Sequence, residues 1–437
     1  MQHRTVTAQR REWRPVTFRS YLCMSISSEH ITPAGAQLAI DAAARRKIPF
    51  NHPFATGDEF GYIREAIENL HLSGNGAFAE RCSSWLEQQL GCERALLTSS
   101  CTAALEMATL VAGIGAGDDV IMPSFTFPTT ASSVALRGAV PVFVDIREDT
   151  LNLDEQLVEA AITPRTRAIM AVHYAGVACE LDTLLAIAER YGLLLIEDAA
   201  QGILARYCAR PLGTVGDLGC LSFHETKNLT CGEGGALLVN RSDWAERAEV
   251  IQEKGTNRSQ FLRGQVDKYT WIELGSSFLM SDISAAFLWA QIEHAHEICV
   301  RRMTSWRIYH ERFAALEEAG VLRRPIVPVE CRHNAHMYYL LLDGRDCRDR
   351  IIEVLAEQNI YALFHYVPLH SAPAGERYGR VAGDLPVTDR VSESLLRLPL
   401  WVEMTESDVA RVCGAVERAL LMGRRLRFRR DWRPRRP

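Results

Sequence analysis

Seven short apolar runs, each followed by a helical stretch or a loop, constrain this chain of 437 residues more than any other feature. They occupy 95–97, 120–122, 140–144, 168–172, 193–196, 218–223 and 235–239. Runs of strand length interleaved with helical patterns predict an α/β domain on a mixed, largely parallel seven-stranded sheet. Two amphipathic helices, 59–70 and 77–90, precede the first run, separated by the turn Ser73-Gly74-Asn75-Gly76.

A long helical stretch from 282 to 316 follows the last run. Beyond it, strands at 337–342 and 360–364 mix with helices at 348–358 and 406–421, the pattern of a smaller α+β domain. The expected organisation is an extension over 1–47 with a short helix at 34–46, a large domain over 48–300, a small domain over 301–422 and an Arg-rich tail over 423–437.

Charge narrows the function. The net charge is −5, but residues 1–47 carry eight basic and three acidic side chains and residues 423–437 carry eight and one, so the body between stands at −17. A body this acidic argues against nucleic-acid binding. No apolar run reaches the roughly 18 residues of a membrane helix, and Tyr21-Leu22-Cys23-Met24 is too short for a secretory core. The Arg-rich, acid-poor start also fits an organellar transit peptide. Twelve scattered cysteines without a CxxC pair speak against a metal site or disulfide framework and for reduced thiols in the cytoplasm.

Three features fall at strand ends, where open α/β sheets place ligands. In Leu97-Thr98-Ser99-Ser100-Cys101-Thr102-Ala103-Ala104-Leu105 a strand runs into small hydroxyl residues and then a helix, whose free N–H groups suit a phosphate. In Leu193-Leu194-Leu195-Ile196-Glu197-Asp198-Ala199-Ala200-Gln201 an apolar strand ends in two acids, one of which can pair with a protonated ring nitrogen. In Ser222-Phe223-His224-Glu225-Thr226-Lys227-Asn228 a strand leads into a polar loop with a lysine, followed by the Gly-rich Gly232-Glu233-Gly234-Gly235. A buried lysine of lowered pKa can bond an aldehyde. Each feature also has an ordinary reading: a helix N-cap at Ser100–Thr102, an Asp N-cap at 198, an exposed loop lysine at 227. Together they meet three separate demands of one cofactor, pyridoxal 5′-phosphate (PLP).

These stretches, with Met122-Pro123-Ser124-Phe125-Thr126-Phe127, resemble the DegT/StrS-type sugar-nucleotide aminotransferases, from about residue 48 to 421. The resemblance implies the aspartate-aminotransferase-like fold (PLP fold type I), with Lys227 bonding the cofactor and moving protons, Asp198 pairing with the pyridine nitrogen, Gln201 near the ring hydroxyl, Phe127 on the ring face, and Cys101, Thr102 and Ser222 at the phosphate. It also implies a homodimer with shared active sites, to which Gly275-Ser276-Ser277-Phe278-Leu279-Met280-Ser281 corresponds as the loop lent by the partner.

Further stretches are similar to family members that act on dTDP-4-keto-6-deoxyglucose with L-glutamate as donor, giving dTDP-4-amino-4,6-dideoxygalactose and 2-oxoglutarate. They are His173-Tyr174-Ala175-Gly176-Val177-Ala178-Cys179-Glu180, Glu253-Lys254-Gly255-Thr256-Asn257-Arg258-Ser259-Gln260-Phe261, Arg263-Gly264-Gln265-Val266-Asp267-Lys268-Tyr269-Thr270-Trp271 and Asn334-Ala335-His336-Met337. Lys254, Asn257 and Arg258 are candidates for the diphosphate, and His224, His336 and His370 for the substrate. His365 shares the segment Phe364-His365-Tyr366-Val367-Pro368-Leu369-His370. A C3 or stereochemically different amination stays open. A related dehydratase would carry His in place of Lys227, a nucleotide-sugar dehydrogenase would show an early GxGxxG, and a cofactor-free sensor would lack Lys227 or Asp198.

Overall fold

The computed structural model describes residues 46–431, with side chains to Leu421; the expected extension helix and the end of the Arg-rich tail lie outside the described residues. All seven apolar runs form strands: β1 (Arg94–Thr98), β2 (Asp119–Pro123), β3 (Val140–Val144), β4 (Thr166–Val172), β5 (Leu194–Asp198), β6 (Leu218–Ser222) and β7 (Gly235–Val239). They assemble in the order β1-β7-β6-β5-β4-β2-β3. Only β7 runs against its neighbours, β1 and β6. The other pairings are parallel. An eighth, two-residue strand, Arg380–Val381, extends the β3 edge from far along the chain; two partly exposed residues leave no pattern that would announce it.

The runs are uniformly apolar because both faces of the sheet are covered. Successive residues point to opposite sides, so Ile121, Ile169 and Leu195 join one core while Val120, Met170 and Ile196 join the other. Helices α1 (Glu59–Glu68) and α2 (Ala77–Leu90) both pack on α5 (Asp282–Glu293), and Phe78, Leu86 and Leu288 close the first core. Helix α3 (Cys101–Val111) covers the opposite face with Leu105, Ala108 and Val111; between them runs α4 (Pro128–Ala135) in chain order, started by a proline at its first turn. Burying side chains such as Leu105 is worth about 1.5–3 kcal/mol each.

The helical stretch from 282 breaks at His294 and Phe313, giving α5, α6 (Ala295–Arg312) and a short turn, Ala314–Glu318. A third core gathers Trp306, Tyr309, Leu340, Leu355, Val412 and Val416 around β8 (Tyr338–Leu341), α7 (Gly344–Glu357), β9 (Leu395–Leu398) and α8 (Glu406–Asp431). Strands β8 and β9 form an antiparallel pair. Ile48 belongs to this third core, bridged to Ile360. The expected strand at 360–364 does not form. Ile360 and Leu363 each make one bridge, to Ile48 and to Arg397, and two partners in different segments cannot build a ladder.

Candidate active site

Strands β1, β5 and β6 point the same way, so their carboxyl ends share one edge of the sheet. Register makes this specific: Thr98 and Ser222 both lie opposite Gly235, and Asp198 pairs with Cys220 one turn of pleat inward. Gly235 is needed there, because a Cβ would lie 2.5 Å from the Cys101 nitrogen and the Ser100 carbonyl carbon. The three sequence features thereby converge on one cavity of about 720 Å³, lined by Cys101, Thr102, Phe127, Asp198, Gln201, Ser222, His224, Lys227 and His336 among others.

The phosphate-like seat is the start of α3. The Ser100 hydroxyl accepts from the Ala103 amide at 3.1 Å, so the ordinary N-cap reading holds for this residue. The cap leaves the first amides of the helix without an intrahelical acceptor, beside the hydroxyls of Thr102 and Ser222 on the cavity wall. Burial pushes the Cys101 thiol well above its ordinary pKa, against a smaller pull from Lys227, so it stays protonated.

No helix follows β5, so Asp198 caps none. Its carboxylate is oriented by two donors: the Thr130 hydroxyl to Oδ2 at 2.8 Å and the Ala200 amide to Oδ1 at 3.1 Å. Thr130 is fully buried and bonded in turn to Thr126 at 2.8 Å. Sequence reading missed Thr130, since nothing local marks it as a partner of residue 198. The neighbouring Glu197 is buried and saturated, accepting from His173 Nε2 at 2.8 Å and from the amides of Gly213, Val215 and Gly216. Desolvation opposes its charge, but these donors together hold its pKa low.

Lys227 is not an exposed loop lysine. Its amide closes a turn onto His224, and Asn228 ties the loop down by donating to the Asn334 carbonyl at 2.7 Å. Burial lowers the lysine's pKa; Cys101 and Asp198 pull it back up, and Arg397 lowers it further. More of the free amine is therefore present near neutrality than on an ordinary lysine.

The facing wall comes from the C-terminal segments. Gln201 accepts from the Ala175 amide at 2.6 Å and donates to the Tyr366 hydroxyl at 2.9 Å. Tyr366 stacks on His365 at 3.6 Å, and Phe127, more than half exposed, lies 6.4 Å from Tyr366. His336 Nδ1 meets Asn228 Oδ1 at 3.1 Å, and burial holds the pKa of His336 and of His365 well below that of free histidine. Their rings are neutral near pH 7. Arg302, from α6, donates to the Ala335 and His336 carbonyls at 3.1 and 2.6 Å; burial brings its pKa down to about 10.

Four expected site residues are not brought to this cavity. His370 bonds Ser124 at 2.8 Å and faces Asp389 at 3.4 Å. Lys254, Asn257 and Arg258 follow the buried Glu253 in the chain; Arg258 meets its carboxylate at 3.2 Å, and Asn257 Oδ1 accepts from the Thr270 amide at 2.7 Å. The 275–281 segment lies against its own chain, with bridges from Leu279 to Thr98 and from Ser277 to Glu253. His224 does line the cavity, its Nδ1 engaged by Thr226 at 2.9 Å.

A mixed, mostly parallel sheet presenting an amide-rich helix start, a carboxylate and a lysine in one cavity defines an enzyme of the aspartate-aminotransferase-like PLP fold. The chain belongs to the DegT/DnrJ/EryC1/StrS aminotransferase family, whose model matches residues 55–417. It is 33% identical over 377 residues to the spore coat polysaccharide biosynthesis protein SpsC of Bacillus subtilis, covering 84% of this chain and 96% of SpsC. Among solved structures, S. venezuelae DesV is 30% identical with a TM-score of 0.78, covering 85% of this chain and 98% of DesV. The aminotransferase TlmJ of Streptoalloteichus hindustanus is 29% identical with a TM-score of 0.78, covering 86% and 100%. The protein is a PLP-dependent sugar aminotransferase. No helix among the described residues is long and apolar enough to cross a membrane.

Proposed function

We propose that the chain transfers the amino group of L-glutamate to C4 of dTDP-4-keto-6-deoxyglucose, giving dTDP-4-amino-4,6-dideoxygalactose and 2-oxoglutarate. The observation that carries this reading is the convergence of Lys227, Asp198 and the start of α3 in one cavity. At about 720 Å³ that cavity lies in the upper part of the range for ligand pockets, about 300–1,000 Å³, which leaves room for a hexose beside the cofactor. The name of the relative SpsC points towards polysaccharide precursors. The choice of sugar rests on the similarity of the 173–180, 253–261, 263–271 and 334–337 stretches.

The residues divide the work. The α3 amides with Thr102 and Ser222 hold the phosphate. Asp198, fixed by Thr130 and Ala200, pairs with the pyridine nitrogen, and Phe127 covers a ring face. When bound, PLP supplies an aldehyde that takes up the amino group and a cationic ring that draws electrons from the bond being broken. Lys227 first anchors the cofactor; once displaced, its Nζ takes the proton from the α-carbon of the amino donor and later delivers one to C4 of the sugar. The neutral rings of His336 and His365 and the Tyr366 hydroxyl offer hydrogen bonds to sugar hydroxyls without adding charge. His224 stands on the same wall.

Lys254, Asn257 and Arg258 act on this reading from the partner of a homodimer. The adjoining stretch leaves Leu262, Trp271, Ile272 and Leu274 more than half exposed, a concentration of apolar surface suited to subunit contact. Sedimentation at the mass of two chains is the expected behaviour.

The reading is tested by incubating purified enzyme with L-glutamate and dTDP-4-keto-6-deoxyglucose and reading the C4 configuration by NMR. An axial 4-amino product is expected. An equatorial amine, or amination only of a 3-keto sugar, would overturn it. The Thr130→Val variant should lower kcat more than KM, because it removes a hydrogen bond to a charged group, worth about 1.5–3 kcal/mol; steady-state kinetics measure it, and an unchanged kcat would remove Thr130 from the account.

A further inference from the structure

Two histidines on the facing wall carry opposite hydrogen-bonding polarity, and buried neighbours fix it. The rings of His336 and His365 both line the cavity, and burial keeps both neutral near pH 7. A neutral imidazole has one N–H and one bare nitrogen, and the partner of Nδ1 selects which is which.

For His336 the partner is Asn228. The Asn228 Nδ2 donates to the Asn334 carbonyl at 2.7 Å, and a backbone carbonyl can only accept. The amide is thereby held the way round that turns Oδ1 to His336 Nδ1, at 3.1 Å. An amide oxygen also only accepts, so the His336 proton sits on Nδ1 and Nε2 is bare. The backbone around the ring is fixed as well. Asn334 Oδ1 accepts from the His336 amide at 3.1 Å, and Arg302 donates to the Ala335 and His336 carbonyls.

For His365 the partner is Tyr174, whose hydroxyl meets Nδ1 at 2.7 Å. Tyr174 is fully buried against the rings of Phe125, Tyr339 and Tyr366. No other described residue bonds its hydroxyl. If His365 donated, the tyrosine's own proton would be buried without an acceptor, which costs more than one such bond contributes. Tyr174 therefore donates, and the His365 proton sits on Nε2.

Neither Nε2 has a partner among the described residues. The two rings are close enough for charge on one to bear on the other, and both feel Lys227. An acceptor and a donor placed together near the reacting centre suit a group that is both. A hydroxyl gives its proton to one and a lone pair to the other, whereas a carboxylate or a ketone has no proton to give. In a 4-keto-6-deoxy sugar one neighbour of the reacting carbon, C3, bears a hydroxyl. The other, C5, bears the ring oxygen and a methyl group.

We propose that His336 Nε2 and His365 Nε2–H together bind the sugar hydroxyl next to the reacting carbonyl, with Asn228 and Tyr174 as positioning residues that set the two tautomers. This rests on the reading of the substrate as a 4-keto sugar and makes the vicinal hydroxyl a determinant of specificity.

Substrate analogues and one variant test it. Wild-type enzyme should reject both the 3-deoxy and the 3-deoxy-3-fluoro analogue of dTDP-4-keto-6-deoxyglucose by at least about 100-fold in kcat/KM, as a site with polar groups left unpaired does. Fluorine keeps the electron withdrawal of oxygen but has no proton for His336. Tyr174→Phe should lower kcat/KM for the hydroxyl substrate about tenfold, the scale of one hydrogen bond, and leave the 3-deoxy analogue unchanged. A merely structural tyrosine would lower both alike, and that result, or ready turnover of either analogue by wild type, overturns the proposal. Nitrogen-15 NMR of histidine-labelled, cofactor-loaded enzyme reads the tautomers without substrate, with signals assigned through His336→Gln and His365→Gln. A proton on Nδ1 of His336 and on Nε2 of His365 is expected; the same tautomer in both refutes the wiring. If wild type ignores the parent keto sugar, the reading of the substrate fails, and the NMR result still stands or falls by itself.

Discussion

Enzyme carrying Lys227→Ala should purify without the visible absorbance of the lysine-bound cofactor and should turn over at least about 10⁴-fold more slowly, the upper end of what a positioned general acid–base contributes. The expectation follows from geometry and charge. Among the residues lining the cavity, Lys227 is the one lysine, held by the His224 turn and the Asn228–Asn334 tether within the influence of Asp198. The phosphate seat at α3 does not involve it, so the variant should still bind PLP, detectable by equilibrium dialysis. Near-normal turnover would refute the assignment of Lys227.

The same residue has a signature in stability. Burial sets the folded pKa of Lys227 below the ordinary 10.5. Between the folded and unfolded pKa values the unfolded chain binds the extra proton, so the cofactor-free wild type gains stability as pH rises through that window. A Lys227→Met apoprotein escapes the penalty. Its Tm should exceed that of the wild type at neutral pH, and the difference should close as pH approaches 10.5. A difference independent of pH would show that the lysine's charge is not what the cavity destabilises.

The second large effect concerns Asp198. Asp198→Asn preserves shape and removes charge, and it also places an amide where Thr130 and Ala200 both donate. Breaking a buried charge pair costs about 3–5 kcal/mol, or roughly 10²- to 10⁴-fold in rate. The loss should fall on kcat in both half-reactions, because a ring left neutral withdraws electrons poorly whichever substrate is bound. Undiminished kcat in Asp198→Asn would contradict the pairing.

The parts of the molecule readable from sequence were those set by short-range pattern. All seven strands of the main sheet stand out because each is buried on both faces and so carries an unbroken apolar run, as in Val120-Ile121-Met122. Lys227, Asp198, Cys101, Thr102 and Ser222 could be singled out because each directly ends a strand or follows one closely, and strand ends in such sheets face a common edge. The edge strand Arg380–Val381 and the single bridges that replace a strand at 360–364 had no such pattern.

What the tertiary structure alone decided is which distant residues complete the cavity and which candidates stay out of it. Thr130 reaches Asp198 across 68 positions, and Tyr366 reaches Gln201 across 165; the cavity face of Arg397 exists only because β9 pairs with β8 and bridges Leu363. His370, Arg258 and Asn257, plausible by residue type, are held outside their own chain's cavity by Ser124, Glu253 and the Thr270 amide. Backbone hydrogen bonding and side-chain burial repeat every two to four residues, so they write themselves into local sequence. A site assembled from long-range contacts depends on how whole layers pack, and no local window contains that information.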